Sequence, residues 1–289
     1  MRAGRTATGD AVRSAAVQFD TIDVQVDGPR ATLLLDRPEK LNPMSVQMLH
    51  EVEDAVRWLD RQADLKVVVV GGRGRAFSSG ADVGGFGSGS AGGTGNGGGG
   101  GGAAAADRAP TREDRDQGWR MCRALEELRA VTIARVQGWC VGGGVVLAAA
   151  CDLRVAADDA RFSIPEVELG VPLGWGGIPR LVREIGPALT KELVMTCRVF
   201  DAAEARAAGF LNDVVPLDEL DAAVERLVTR LLAMPKLALL ATKVHTNAVA
   251  EAMVNTGRSW SDADGLMSGF ADPEGRASAR SYVERLRKR

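Results

Sequence analysis

Histidine is scarce in this 289-residue chain, and paired cysteines, a basic excess and long apolar runs are absent; each of these removes a class of protein. With only His50 and His245, and with Cys122, Cys140, Cys151 and Cys197 outside any CxxC spacing, no zinc ligand set and no other metal is expected. Most of those thiols are expected to be buried and reduced, in a cytoplasmic setting. The net charge of −2 leaves nothing to neutralise a phosphate backbone, so nucleic acid is not an expected partner. No apolar run approaches the roughly 20 residues needed to cross a bilayer. Residues 1–17 are polar with no apolar stretch after them, which argues against a secretory signal; a disordered tail is expected there, with an organellar transit peptide as the alternative from the Arg, Ser and Ala content. The single tyrosine and the wealth of Ala, Arg, Gly and Val read as coding bias and carry no functional information.

What is present is an ordinary globular composition, 45% hydrophobic and 26% charged, enough for a sizeable core. Phe19 to Val26 and Ala31 to Leu35 alternate as strands around Asp27-Gly28, a hairpin turn. A polar, proline-bounded loop, 36–43, precedes a helix from Ser45 to Leu59. Val67 to Val70 reads as a strand buried on both faces. The glycines after it fail as a dinucleotide fingerprint, because Phe77 stands where the third glycine belongs and no helix opens there. No Gly-Lys-Ser/Thr follows, which excludes a phosphate-cradling NTPase loop. Residues 84–106 are low-complexity and glycine-rich, and are expected to be a mobile insert within one domain in preference to a linker between two. Arg108 to Leu128 is helical, Leu153 to Ala156 and Ala160 to Ser163 are short strands, and the last third is mainly α.

The segment 136–152 stands at the centre. A β-branched strand, Val131 to Val136, leads to Gly142-Gly-Gly144 and then to an unbroken apolar run. Such a turn brings backbone N–H groups to a helix start with no Cβ in the way. From the residues alone, a close-packed turn and an oxyanion site remain equally open. Glu166 and Glu168 sit two apart in a loop with apolar neighbours, so in an extended chain at most one would enter a pocket.

Three segments then coincide in order: 37–43 (RPEKLNP), 76–82 (AFSSGAD), and 138–147 followed by Pro165-Glu166 and 174–181 (GWGGIPRL). Together they resemble the enoyl-CoA hydratase/isomerase, or crotonase, family, from about Phe19 to the C-terminus. The resemblance implies an α/β fold, a crotonase-like spiral of ββα repeats over 18–215 with a C-terminal helical trimerisation region over 216–289. It implies an acyl-CoA thioester substrate with no cofactor beyond the substrate's own coenzyme A, and a homotrimer or dimer of trimers. By motif position the thioester oxygen lies between the N–H groups of Ala81 and Gly143, donors aimed at the charge of an enolate. Leu41, Asn42, Ser79, Gly80, Asp82, Gly142, Gly174, Trp139 and Trp175 are the expected substrate-contacting positions.

One departure shapes the chemistry. Hydratases of this family use two glutamates; here the first falls at Val146, which cannot titrate, and the second at Glu166. Moving one proton between two carbons needs a single base, whereas adding water needs a held water as well. A Glu166 raised towards neutrality, with Trp139 and Trp175 as apolar neighbours, suits a Δ3–Δ2 enoyl-CoA isomerase. The aspartate of the family's dienoyl-CoA isomerases is replaced by Gly174. A hydratase borrowing Glu126, Glu127 or Glu168, and a member that binds acyl-CoA without turnover, are the alternatives.

Overall fold

The computed structural model describes residues 18–82, 111–259 and 261–288; the tail over 1–17 and the insert over 84–106 lie outside them. A six-stranded sheet has the order β1 (Ile22–Asp27), β2 (Arg30–Leu35), β3 (Val67–Gly72), β4 (Val131–Val136), β6 (Leu153–Ala157), β9 (Asp213–Val215). The β1–β2 hairpin is antiparallel and every later pairing in this sheet is parallel. A second, three-stranded sheet runs β5 (Trp139–Val141), β7 (Arg161–Ser163), β8 (Phe200–Asp201).

The helices are α1 (Val46–Asp60), α2 (Arg112–Glu127), α3 (Gly143–Ala149), α4 (Gly177–Thr196), α5 (Ala202–Ala207), α6 (Leu220–Leu232), α7 (Lys236–Met253), α8 (Asp262–Ala271) and α9 (Pro273–Arg287). Two ββα units follow directly from this order. In β4–β5–α3 and in β6–β7–α4 the first strand joins the large sheet and the second joins the small one. The strand partner of β3 is reduced to the turn at Ser78, which bridges to Cys140 of β5.

The valines of β3 explain why that run lacks alternation. Val68 and Val70 face a core with α1, α2 and α3, while Val67 and Val69 face Leu220, Val224 and Val228 of α6. A sheet covered on both sides needs no polar face. Several boundaries differ from expectation for local reasons. The N–H groups of Asp20 and Thr21 donate to Glu51 of α1, so β1 starts only at Ile22. Within the described residues α2 begins at Arg112, fixed by a capping box between Thr111 and Asp114. α4 is two helical stretches that break at Gly186-Pro187, where Gly186 takes φ 75° and leaves the helical conformation.

Candidate active site

The turn after β3 is zipped to β5 on one side and to the 37–44 loop on the other. Ser78 N donates to Trp139 O (3.0 Å) and Val141 N to Ser78 O (3.0 Å). Opposite, Met44 N donates to Gly80 O (2.8 Å) and Asp82 N to Met44 O (3.0 Å). That pairing uses the groups flanking Ala81 and turns Ala81 the other way. Its N–H has no acceptor among the described residues, and the residue is exposed.

Asn42 locks the arrangement. Its amide Nδ2 donates to Arg73 O and Ala76 O (both 2.9 Å), while its Oδ1 accepts from Arg37 N (2.9 Å). The Asn42 side chain, expected among the substrate-contacting positions, is fully buried and fixes the turn from behind. Leu41 and Asn42 take left-handed backbone conformations, and Leu41 O accepts from Ser79 N (2.8 Å). Asp82 pairs with Arg37 at 2.8 Å.

The glycine triplet forms the second turn. Gly142, with φ 51° and ψ −116°, occupies a conformation that side-chain-bearing residues avoid. Its N–H donates to Ser163 O (2.8 Å), and Gly143 opens α3 with an N–H that finds no acceptor among the described residues. The two turns abut. A Cβ on Gly80 would lie 2.8 Å from Val141 O and 3.8 Å from Gly143 N, so only glycine lets them approach this closely.

Glu166 faces the same place. A Cβ on Gly142 would stand 2.4 Å from Glu166 Oε1. By bond lengths this puts that oxygen within about 6 Å of Gly143 N. The residue as a whole is half-buried, but Oε2 is shut from solvent and accepts no hydrogen bond. Burial pushes the carboxyl up to about 7, opposed only by the residue's own N–H. An acid held there is half ionised near neutrality. If it serves as the base, kcat/KM should rise through about pH 7 and level off above it. A profile already flat from pH 5.5 upward would contradict that role.

The other carboxylates are engaged elsewhere. Glu126 is held by Arg180 (2.8 Å) and by Arg183; burial alone would raise its carboxyl, but the two guanidiniums outweigh that and hold it below the usual range. Glu127 pairs with Arg123 (2.6 Å) and Glu168 with Arg285 (3.1 Å), both on the surface. Val146 is sealed: it is 1% exposed, and a Cβ on Gly177 would meet it at 2.8 Å. Gly174 is buried, and a Cβ there would stand 3.0 Å from Leu266 of α8.

Trp139 and Trp175 part company. Trp139 is 41% exposed on β5, whereas Trp175 packs on the core beside Gly143. Residues that the sequence reading missed hold this wall. Arg180, fully buried, donates from Nη1 to Trp175 O (2.9 Å) and Gly176 O (3.1 Å), and Asp262 Oδ2 accepts from Gly176 N (2.8 Å). Among the described residues no cluster of His, Cys, Asp and Glu could hold a metal ion, and no helix is long and apolar enough to cross a membrane.

The family model described as enoyl-CoA hydratase/isomerase matches residues 31–289. A probable enoyl-CoA hydratase of Mycobacterium bovis is 34% identical over 239 residues, covering 83% of this chain and 86% of its own. A crotonyl-CoA hydratase of Syntrophomonas wolfei is 30% identical over 269 residues, covering 92% and 96%. Among solved structures, an enoyl-CoA hydratase from Mycobacterium avium subsp. paratuberculosis superposes with a TM-score of 0.78 at 26% identity, covering 92% of this chain and all of that one. The ββα units and helical C-terminal region are thus those of a crotonase fold.

Proposed function

The chain belongs to the enoyl-CoA hydratase/isomerase family, and from that premise we propose that it moves a proton between carbons of an enoyl-CoA thioester, as a Δ3–Δ2 isomerase does. The thioester oxygen accepts from Ala81 N–H and Gly143 N–H, which stabilise the enolate. Glu166, ionised, takes a proton from one carbon and, protonated, returns it to the other, so no net acid or base is consumed. The observation that carries this reading is a lone enclosed carboxyl beside Gly142, with Val146 sealed where a second acid would stand.

Coenzyme A enters as part of the substrate, and no separate cofactor is invoked. The reading extends to a homotrimer or dimer of trimers. α7 leaves Leu237, Val244, Val249 and Met253 exposed, an apolar set suited to cover by another copy. A hydratase is the second reading, favoured by the names of the relatives at 34% and 30% identity.

One experiment separates the two. Incubated with 3-enoyl-CoA in deuterated buffer, the protein is expected to yield 2-enoyl-CoA with label at carbon, and to leave 2-enoyl-CoA unhydrated. Formation of 3-hydroxyacyl-CoA as the main product would favour the hydratase, and absence of both reactions would leave a binding protein.

A further inference from the structure

Trp175 combines two unfavourable features that only its ring explains. Its backbone takes φ 60°, a region that bulky residues avoid. Its indole also lies against a glycine in the middle of a helix, where alanine would serve the helix better. A Cβ on Gly118 of α2 would stand 2.2 Å from Trp175 Cε2. A Cβ on Gly143 would stand 2.2 Å from Cζ3 of the same ring. The indole therefore fills the slot between α2 and α3 and needs both glycines to do so.

The backbone that carries the ring is braced rather than free. Arg180 donates to Trp175 O and Gly176 O and anchors its other end on Glu126 at 2.8 Å. Asp262 holds Gly176 N. The residue nonetheless stays half-buried. An oxygen accepting from Gly143 N would lie within about 8 Å of the ring edge. On the reading that a thioester oxygen sits there, the carbons next to it start from the same corner of the site as the ring.

We propose that Trp175 is a specificity-determining residue: its indole, wedged between Gly118 and Gly143, narrows the pocket beside the oxyanion amide and restricts it to acyl groups unbranched next to the thioester. This rests on the reading that acyl thioesters bind at the Ala81 and Gly143 amides. A saturated acyl-CoA tests it without turnover, so the isomerase assignment does not enter.

The measurement is calorimetric titration of wild type, Trp175→Ala and Trp175→Leu with butyryl-CoA and 2-ethylbutyryl-CoA. Wild type should favour the linear ligand by about tenfold or more, the scale of pocket discrimination by small apolar groups. Trp175→Ala should remove most of that preference by gaining affinity for the branched ligand. Trp175→Leu serves as the decisive variant if the alanine protein does not fold, and should relax the preference in part. An unchanged linear-to-branched ratio in a folded variant overturns the proposal, as does equal loss of both affinities, which marks a merely structural ring. Failure of wild type to bind butyryl-CoA would remove the site reading itself, and the wedge with it.

Discussion

Glu166→Gln is expected to abolish proton exchange at the substrate α- and γ-carbons, lowering the isomerisation rate by about 10²–10⁴ or more, the usual contribution of a positioned acid–base group. The amide keeps the size and shape of the carboxyl, so Gly142 and the turn behind it are undisturbed. Substrate affinity should change little, because in the proposed binding mode the thioester oxygen accepts from the Ala81 and Gly143 amides and not from Glu166. The same variant reports on the cost of burying the acid. A carboxyl whose folded pKa is raised to about 7 stabilises the fold in its protonated form. That contribution is present below the ordinary carboxylate range and is lost as pH rises through about 7. Glu166→Gln, which cannot ionise, should therefore melt higher than wild type at pH 8.5 and equally at pH 4.5. Unchanged exchange in a folded Glu166→Gln protein would rule the residue out as the base.

Arg180→Ala is expected to be the most destabilising single change near the site, by about 3–5 kcal/mol in denaturant unfolding. Its guanidinium is wholly enclosed, and three hydrogen bonds join α4 to Trp175, Gly176 and Glu126. Removing it leaves two carbonyls short of a donor and Glu126 with Arg183 as its remaining partner. Because the lost bonds hold the left-handed residues 175 and 176, activity should fall even under conditions where the variant stays folded. Arg180→Lys keeps a charge but cannot span all three acceptors, and should lose less. A loss below 1 kcal/mol for Arg180→Ala would show that the wall beside Gly143 stands without it.

The parts of this account legible in the sequence were those set by local physics. Val67 to Val70 read as a strand covered on both faces and is one, and the amphipathic run from Ser45 read as a helix, which Ser45 caps in the structure. The glycine triplet marked a turn, although only the structure shows that Gly142 is required by its φ and by the nearness of Glu166. β5 escaped notice because three residues, Trp139 to Val141, are too few to display alternation. Asn42 was recognisable as belonging to a motif, but its work is done through carbonyls more than 30 residues away, which no spacing rule reveals. The same holds for Gly118, an unremarked glycine in a helix until Trp175 is seen against it. The pairing of Glu126 with Arg180 and Arg183 likewise had to come from coordinates, and it removes one of the three acids considered as a second carboxylate.

The most direct test is a crystal structure of the protein with bound butyryl-CoA. The thioester oxygen should lie within about 3.2 Å of both Ala81 N and Gly143 N, with the Glu166 carboxyl facing the adjacent carbons. An oxygen that meets neither amide, or a Glu166 side chain turned to solvent in every subunit, would contradict the account.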